Sequence, residues 1–286
     1  MDKSIKRTVI YYSIALLFSW TFWIIAMVAS IKGNIAIPYN EGIYSIFSNG
    51  YESSEQKNIH FIFSLAVYGP LIGAIIVKLL FKDSSNSINV RNTMNKKWGV
   101  NGKWLLFVFV YPILLFSAGV LVSFISTGFS KGFSVLGIPF WFLPILFVYQ
   151  CFTSGTEEFG WRGALQPILQ SRYTAEKACY IVGILWSVWH YPFIIFTNYK
   201  SGILLTALSI VGFTMLTIPQ AFVMGWVYNS TKSIFLSVIF HAWLNTISFY
   251  IFAASPNPQV TSIFVAVGTW LAANYLIKRF GKKRLS

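Results

Sequence analysis

The sequence predicts an all-α fold, a polytopic transmembrane helix bundle of about eight spans with both termini in the cytoplasm. Composition is the first reason, because 56% of the 286 residues are apolar and only 10% are charged, whereas about 25% are charged in a soluble domain. The second reason is that the apolar residues form runs longer than the roughly 20 residues needed to cross a hydrocarbon core. The third is that the Lys and Arg residues lie almost entirely between those runs.

Eight spans follow from the hydropathy of the chain, and we treat residues 1–286 as a single integral membrane domain. The spans cover residues 8–30, 60–81, 104–127, 137–157, 178–197, 203–228, 233–254 and 259–277. The first run follows a basic N-terminus and exceeds twenty residues without a cleavage site, which is typical of a retained signal anchor. The polar segment between the first two spans, 31–59, is expected to be a solvated loop.

The basic residues predict the orientation. With the N-terminus in the cytoplasm, sixteen Lys and Arg residues lie inside and four lie outside, the asymmetry that cytoplasmic loops carry. The inside set is Lys3, Lys6, Arg7, Lys82, Arg91, Lys96, Lys97, Lys103, Arg172, Lys177, Lys232, Lys278, Arg279, Lys282, Lys283 and Arg284, and the outside set is Lys32, Lys57, Lys131 and Lys200. Orientation and attraction to an anionic inner leaflet then explain the net charge of +14 without a nucleic-acid partner. We expect a multi-pass protein of a bacterial cell membrane.

The fourth span is longer than a bilayer requires. From residue 136 to 169 the pattern reads as helical for more than thirty residues, about 50 Å at 1.5 Å per residue. We expect the span to tilt or to leave the membrane along its cytoplasmic face, with a break near Pro167. Cys151 in this span and Cys179 in the next belong to no metal-spaced cluster and read as small hydrophobic residues.

This span carries the only acidic residues found in any apolar run, in the stretch TSGTEEFGWRGA. Ionisable groups at membrane depth cost roughly 2.5–3.5 kcal/mol each and therefore mark a pathway or a reaction centre. Glu158 and Arg162 are four residues apart with the acid first, the favourable order for an ion pair on a helix, while Glu157 is rotated by about 100°. We expect Arg162 to neutralise Glu158 and Glu157 to face a poorly solvated cavity as a candidate general base. The alternative is that all three side chains only bridge helices.

Two further spans contain polar groups. His190 lies in the aromatic run LWSVWHYPF, where a histidine is often no more than a core residue, and Pro192 loosens the local hydrogen-bond ladder. His241 and Asn245 are four apart in IFHAWLNTI and so share one helical face, where they could form an oxyanion hole or link helices. At distances of about 12–18 Å from the cytoplasmic ends of their spans, these groups and the acids can meet in the cytoplasmic half of the bundle.

Taken together, these motifs resemble those of the CAAX protease and bacteriocin-processing family of intramembrane endopeptidases. The family pattern is EExxxR, FxxxH and HxxxN. The first and third motifs are matched in full, by Glu157, Glu158, Arg162, His241 and Asn245. The second departs from the pattern, because Trp186 stands where Phe precedes the histidine by four residues. The motif-bearing core is expected over residues 137–254.

The resemblance implies peptide-bond hydrolysis within the membrane. Its catalytic residues would be Glu157, His190, His241 and Asn245, with Glu158 and Arg162 in support. By the resemblance, Glu157 and His190 activate a water, and His241 and Asn245 stabilise the oxyanion. We expect no cofactor. Two Glu and two His could ligate zinc, but no HExxH is present, so a metal-independent glutamate mechanism is favoured over the zinc alternative.

Other functions remain open beside the protease. A non-catalytic relative could act as a bacteriocin immunity factor or a regulatory binding protein. A proton-coupled transporter is the third candidate, because buried carboxylates and histidines also form relays, although the sequence has no internal repeat. For a protease, the partner is a membrane-anchored and possibly lipidated peptide or protein, which the predicted topology brings to a site open towards the cytoplasm.

Overall fold

A computed structural model describes residues 2–39, 41–81, 101–130 and 138–286, and every regular element in these residues is helical. The helices are α1 (Lys3–Gly33), α2 (Glu41–Asn49), α3 (Ser54–Leu65), α4 (Gly69–Leu80), α5 (Gly102–Ser126), α6 (Leu143–Phe152), α7 (Glu157–Gly160), α8 (Gln166–Gln170), α9 (Ala175–Asn198), α10 (Ile203–Thr231), α11 (Ile234–Ala253) and α12 (Pro258–Phe280). A single 3₁₀ turn, Ala66–Tyr68, joins α3 to α4.

Seven helical segments of the described chain are long and apolar enough to cross a membrane, which confirms the polytopic helical bundle. They are Lys3–Gly33, Ser54–Leu80, Gly102–Ser126, Ala175–Ser201, Ile203–Thr231, Ile234–Phe252 and Pro258–Phe280. Each overlaps one predicted span. The eighth predicted span, 137–157, is not among them, and its first residue lies outside the described residues. The side on which the termini lie stays a prediction.

The predicted span 137–157 is broken rather than continuous. Helix α6 has only 10 residues and is followed by Thr153, whose φ of −106° and ψ of −99° are not helical. A 3₁₀ turn, α7, a π-helix over Trp161–Leu165 and α8 then follow in succession. The break expected near Pro167 is therefore wrong. That proline lies in the first turn of α8, where a missing backbone N–H is tolerated.

Glycines bring α4 close to its neighbours on both sides. A Cβ atom added to Gly69 would lie 2.0 Å from Ser19 Oγ on α1, nearer than real Cβ atoms approach. A Cβ atom added to Gly160 would lie 2.5 Å from the carbonyl oxygen of Pro70. These close contacts hold the short helix α7 against α4, and α4 in turn against α1.

Both chain termini lie at one end of the bundle. Asp2 pairs with Arg172 in the connection between α8 and α9. The C-terminal tail crosses the start of α9, where the N–H of Ala175 donates to the carbonyl oxygen of Lys283 at 3.1 Å. Leu285 in this tail is fully buried in the main hydrophobic core.

The opposite end carries the segment between α1 and α3. Most described residues of this segment are exposed, as expected for 31–59, but it contains helix α2 and the start of α3 and is therefore not a loop. Of the residues that predict the orientation, Lys82, Arg91, Lys96, Lys97 and Lys131 lie outside the described residues.

Candidate active site

The irregular stretch after α6 places three ionisable side chains in the interior. Glu157 and Glu158 begin α7, and Arg162 follows one turn later in the π-helix. Their exposed fractions are 3%, 0% and 0%. A π-helix is a rare conformation that occurs mostly as single turns, frequently at functional sites. The break at Thr153 and the π-helix therefore flank the two carboxylates with unusual backbone on both sides.

Glu158 binds two partners through one oxygen. Its Oε1 accepts a hydrogen bond from Arg162 Nη1 at 3.0 Å and another from His241 Nδ1 at 2.9 Å. The first contact is the predicted ion pair, in a fully buried setting. Because an ionised carboxylate only accepts hydrogen bonds, His241 carries a proton on Nδ1. Its Nε2 atom is then left to act on another group.

Glu157 has a different environment. Its Oε2 accepts hydrogen bonds from the indole nitrogens of Trp161 at 3.2 Å and Trp186 at 3.0 Å. An indole N–H only donates, so the two tryptophans hold the carboxylate without neutralising its charge. Within the described residues, Oε1 has no hydrogen-bond partner. This oxygen is the one free to act on a water or a substrate.

Trp186 is in contact with the remaining groups of the cluster. Its carbonyl oxygen accepts a hydrogen bond from His190 Nδ1 at 3.0 Å, so the Nε2 atom of that histidine is free to accept. The Trp186 ring centre lies 6.1 Å from that of His190 and 5.2 Å from that of His241. The Arg162 guanidinium lies 5.0 Å from the same ring, within the range of a cation–π contact. Trp186 thus contacts both histidines, Arg162 and Glu157.

Asn245 lies one helical turn beyond His241 on α11 and faces a cavity. The cavity has a volume of about 920 Å³, and its walls include Tyr39, Gln56, Gln150, Asn245 and Ser248. In the described part of the chain, the Asn245 side chain makes no hydrogen bond, whereas its carbonyl oxygen accepts one from Ser248. Asn245 therefore borders the cavity one helical turn beyond the histidine that binds Glu158.

The structure brings most of the predicted residues together but connects them differently. His241 was expected to share a cavity with Glu157, and its Nδ1 is bonded to the neighbouring Glu158. Glu157 was expected to be free, and one of its oxygens is held by two indoles. Asn245 lines the cavity. The catalytic and supporting roles of these residues stay predictions.

Sequence reasoning misses the two tryptophans. Trp161 follows Glu157 by four residues, the spacing at which helical side chains meet, and Trp186 stands where the family motif has Phe. A buried tryptophan usually finds a partner for its N–H, and a phenylalanine has none to offer. These two signals, read together, point to a carboxylate as the partner.

The donor set fits hydrogen bonding better than metal binding. The described residues contain no group of three or more His, Cys, Asp and Glu side chains arranged to hold a metal ion. Glu158 already contacts the positive charge of Arg162, which disfavours a second cation there. Cys151 and Cys179 are both free thiols.

The fold and the cluster define an integral, multi-pass membrane protein with a buried carboxylate and histidine centre. Residues 139–247 match the family described as Type II CAAX prenyl endopeptidase Rce1-like, and all six candidate residues fall within this range. The chain is also 30% identical over 216 residues to CAAX prenyl protease 2 of Methanococcus maripaludis. This match covers 71% of this chain and 76% of that protein. The chain therefore belongs to the CAAX protease and bacteriocin-processing family of intramembrane proteases.

A second relative has a different name. Over 219 residues the chain is 22% identical to lysostaphin resistance protein A of Staphylococcus haemolyticus. The match covers 74% of this chain and 55% of that protein, so the chain spans just over half of the staphylococcal relative.

Proposed function

We propose that the protein is an endopeptidase that hydrolyses peptide bonds of membrane-associated peptides, with Glu157 as the general base. The observation that carries this proposal is the environment of its carboxylate. Oε2 is fixed by two indole donors while Oε1 has no partner within the described residues. A general base needs a defined position and a free lone pair, and this arrangement supplies both.

Glu157 and His190 would act on the water. His190 Nδ1 donates to the carbonyl oxygen of Trp186. Its Nε2 therefore points away from that carbonyl and can accept a hydrogen bond. A water held between Nε2 and Glu157 Oε1 would lose a proton to the carboxylate as its oxygen attacks the peptide carbonyl carbon. Glu157 would then return that proton to the leaving nitrogen as the C–N bond breaks, which restores the carboxylate.

His241 and Asn245 would stabilise the negative charge that develops on the carbonyl oxygen. Glu158 holds a proton on His241 Nδ1, and Nε2 would donate to the oxyanion in the imidazolium form, in which both ring nitrogens carry a proton. Asn245 adds an amide N–H one turn further along the same helix. Donors that are already positioned before the reaction are worth a factor of about 10²–10³ in rate. In this proposal Glu158 and Arg162 position His241 and do not touch the substrate.

The substrate class follows from the family and the setting. A membrane-embedded centre meets peptides that are themselves anchored in the bilayer, and one relative is named as a prenyl protease. We propose a membrane-anchored, possibly lipidated peptide as the substrate and a reaction without a metal ion. Likeness to lysostaphin resistance protein A favours a second candidate, a resistance or regulatory protein that binds without cleaving.

Cleavage of a defined panel of peptides tests the proposal. The wild-type protein, Glu157→Ala and His190→Ala would be reconstituted in vesicles with prenylated and unmodified membrane-anchored peptides, with and without a chelator. Glu176→Gln is the matched control, because this carboxylate lies near the terminal end of the bundle, beside Lys282 at 3.7 Å. We expect cleavage by the wild type and by the control, and a loss of about 10²–10⁴-fold in both alanine variants.

The outcomes separate the candidates. Cleavage that survives in either alanine variant contradicts the assigned mechanism, and loss of wild-type cleavage with the chelator favours zinc. A cellular resistance phenotype that persists in both alanine variants supports the binding protein in place of the protease.

A further inference from the structure

The cavity beside Asn245 lies at the end of the bundle opposite to both termini. Its wall includes Tyr39 from the segment after α1, and Pro258 at the first turn of α12. Helix α1 begins and helix α12 ends at the terminal end, where Asp2 pairs with Arg172. A site that opens through this cavity therefore faces away from the termini.

Buried hydrogen bonds join the terminal side of the cluster to the C-terminal tail. Gln166, one turn after Arg162, is fully buried and donates through Nε2 to Asn229 Oδ1 at 3.0 Å. The amide of Asn229 in turn donates to the carbonyl oxygen of Arg284 at 2.9 Å. The next residue, Leu285, is fully buried in the core. The C-terminal tail thus packs on the side of the cluster that faces the termini.

Two links connect the cavity to the cluster. Gln150 lines the cavity, and its Oε1 accepts a hydrogen bond from Ser154 Oγ at 2.7 Å. Ser154 precedes Glu157 by three residues. On the other wall, Asn245 lies one helical turn from His241, which is bonded to Glu158. Both links belong to the segments that carry the acids and the oxyanion donors, so the cavity borders Asn245 itself and the turn that leads to Glu157.

The charge distribution decides which side of the membrane this cavity faces. Of the basic residues that predict the orientation and that the structure describes, twelve lie at the terminal end and three at the other end, and cytoplasmic segments carry the excess of basic residues. The terminal end is then cytoplasmic and the cavity faces outwards. The predictions of cytoplasmic termini and of a site open to the cytoplasm are therefore incompatible if this cavity is the access route.

We propose that the peptide reaches the site from the non-cytoplasmic side through this cavity, an inference that rests on the proposed peptidase function. The volume of about 920 Å³ is near the upper limit of ordinary ligand pockets, about 300–1,000 Å³. The walls offer amides and a hydroxyl for a peptide backbone, from Gln56, Gln150 and Ser248. Among the described residues that line it, Glu52 is the one charged side chain. The cavity therefore suits an extended peptide that is neutral or basic.

Cysteine accessibility tests this without any need for cleavage. In a background with Cys151 and Cys179 replaced by Ala, single variants Ser248→Cys in the cavity, Ser48→Cys on the exposed face of α2 and Ser171→Cys at the terminal end would be treated with a charged, membrane-impermeant maleimide. We expect Ser248→Cys and Ser48→Cys to react in intact cells. Ser171→Cys should react only after the cells are permeabilised.

A second measurement tests the peptide class. An extended eight-residue peptide with one lysine and its glutamate counterpart would be compared for their ability to slow the labelling of Ser248→Cys. We expect the lysine peptide to protect about two- to fivefold better, the size of an exposed ion pair, and Glu52→Gln to remove the difference. Equal protection by both peptides contradicts the proposed class.

The labelling pattern also separates this inference from the peptidase. If Ser248→Cys reacts only after permeabilisation, together with Ser171→Cys, or does not react under either condition, outward access is wrong even when the protein cleaves peptides. If it reacts in intact cells and no peptide is cleaved, outward access stands and the peptidase proposal fails.

Discussion

Replacing Glu158 by Gln should destabilise the protein far more than the same change at Glu157. Glu158 Oε1 accepts from Arg162 Nη1 and His241 Nδ1, and all three side chains are at most 3% exposed. Gln keeps an oxygen that accepts but removes the charge, so Arg162 stays buried without its counter-charge. Removing one partner of a buried ion pair costs about 3–5 kcal/mol.

Glu157→Gln leaves no cation without a partner. The amide oxygen can still accept both indole N–H groups that Oε2 accepts now. A neutral amide also removes the cost of keeping a charge in a poorly solvated site. We therefore expect a change in the free energy of unfolding within about 1 kcal/mol.

The assay uses the cysteines of the protein. Cys179 is fully buried, so a thiol-reactive fluorescent dye reports its exposure as the detergent-solubilised protein is heated. At roughly 2–4 °C per kcal/mol, Glu158→Gln should lower the apparent melting temperature by at least about 6 °C. Equal melting temperatures for the two variants, or a larger loss in Glu157→Gln, would refute the division of the two acids into a supporting group and a free base.

Three further substitutions test the packing around the centre by the same melting assay. Trp186→Phe keeps the ring but removes one donor to the charged Glu157, and should cost about 1.5–3 kcal/mol; an unchanged melting temperature would show that this hydrogen bond does not form. Leu285→Ala should cost about 2–5 kcal/mol, as other buried Leu→Ala changes do, and a wild-type value would mean that the tail is not docked. Gly160→Ala forces a Cβ atom to 2.5 Å from a backbone oxygen and should cost at least about 1–3 kcal/mol. Its control, Gly212→Ala, meets nothing within 4 Å and should stabilise α10 by up to about 1 kcal/mol.

The spans were predictable from the sequence because a bilayer imposes a minimum length on each apolar run. The exception, 137–157, shows what hydropathy does not detect. The non-helical Thr153 interrupts this run, and the π-helix after Gly160 interrupts the helical pattern that was predicted to continue to residue 169. Neither interruption has a proline at its centre, and Pro167, which was expected to break the helix, begins one.

For the two acids, only the contacts made within a single helix could be predicted from the sequence. The Glu158–Arg162 pair follows from a four-residue spacing, which a helix converts directly into contact. The bonds from Trp186 to Glu157 and from His241 to Glu158 join residues 29 and 83 positions apart. Such contacts depend on how α9 and α11 pack against α7, and the periodicity of a single span contains no information about that packing.

The most direct measurement is the rate at which the reconstituted protein cleaves a prenylated, membrane-anchored peptide, with Glu157→Gln compared against the wild type at equal amounts of folded protein. A general base contributes about 10²–10⁴-fold. We predict that Glu157→Gln loses activity by at least about a hundredfold while it melts at the wild-type temperature. A folded Glu157→Gln variant that cleaves the peptide at the wild-type rate would contradict the assignment of Glu157 as the general base.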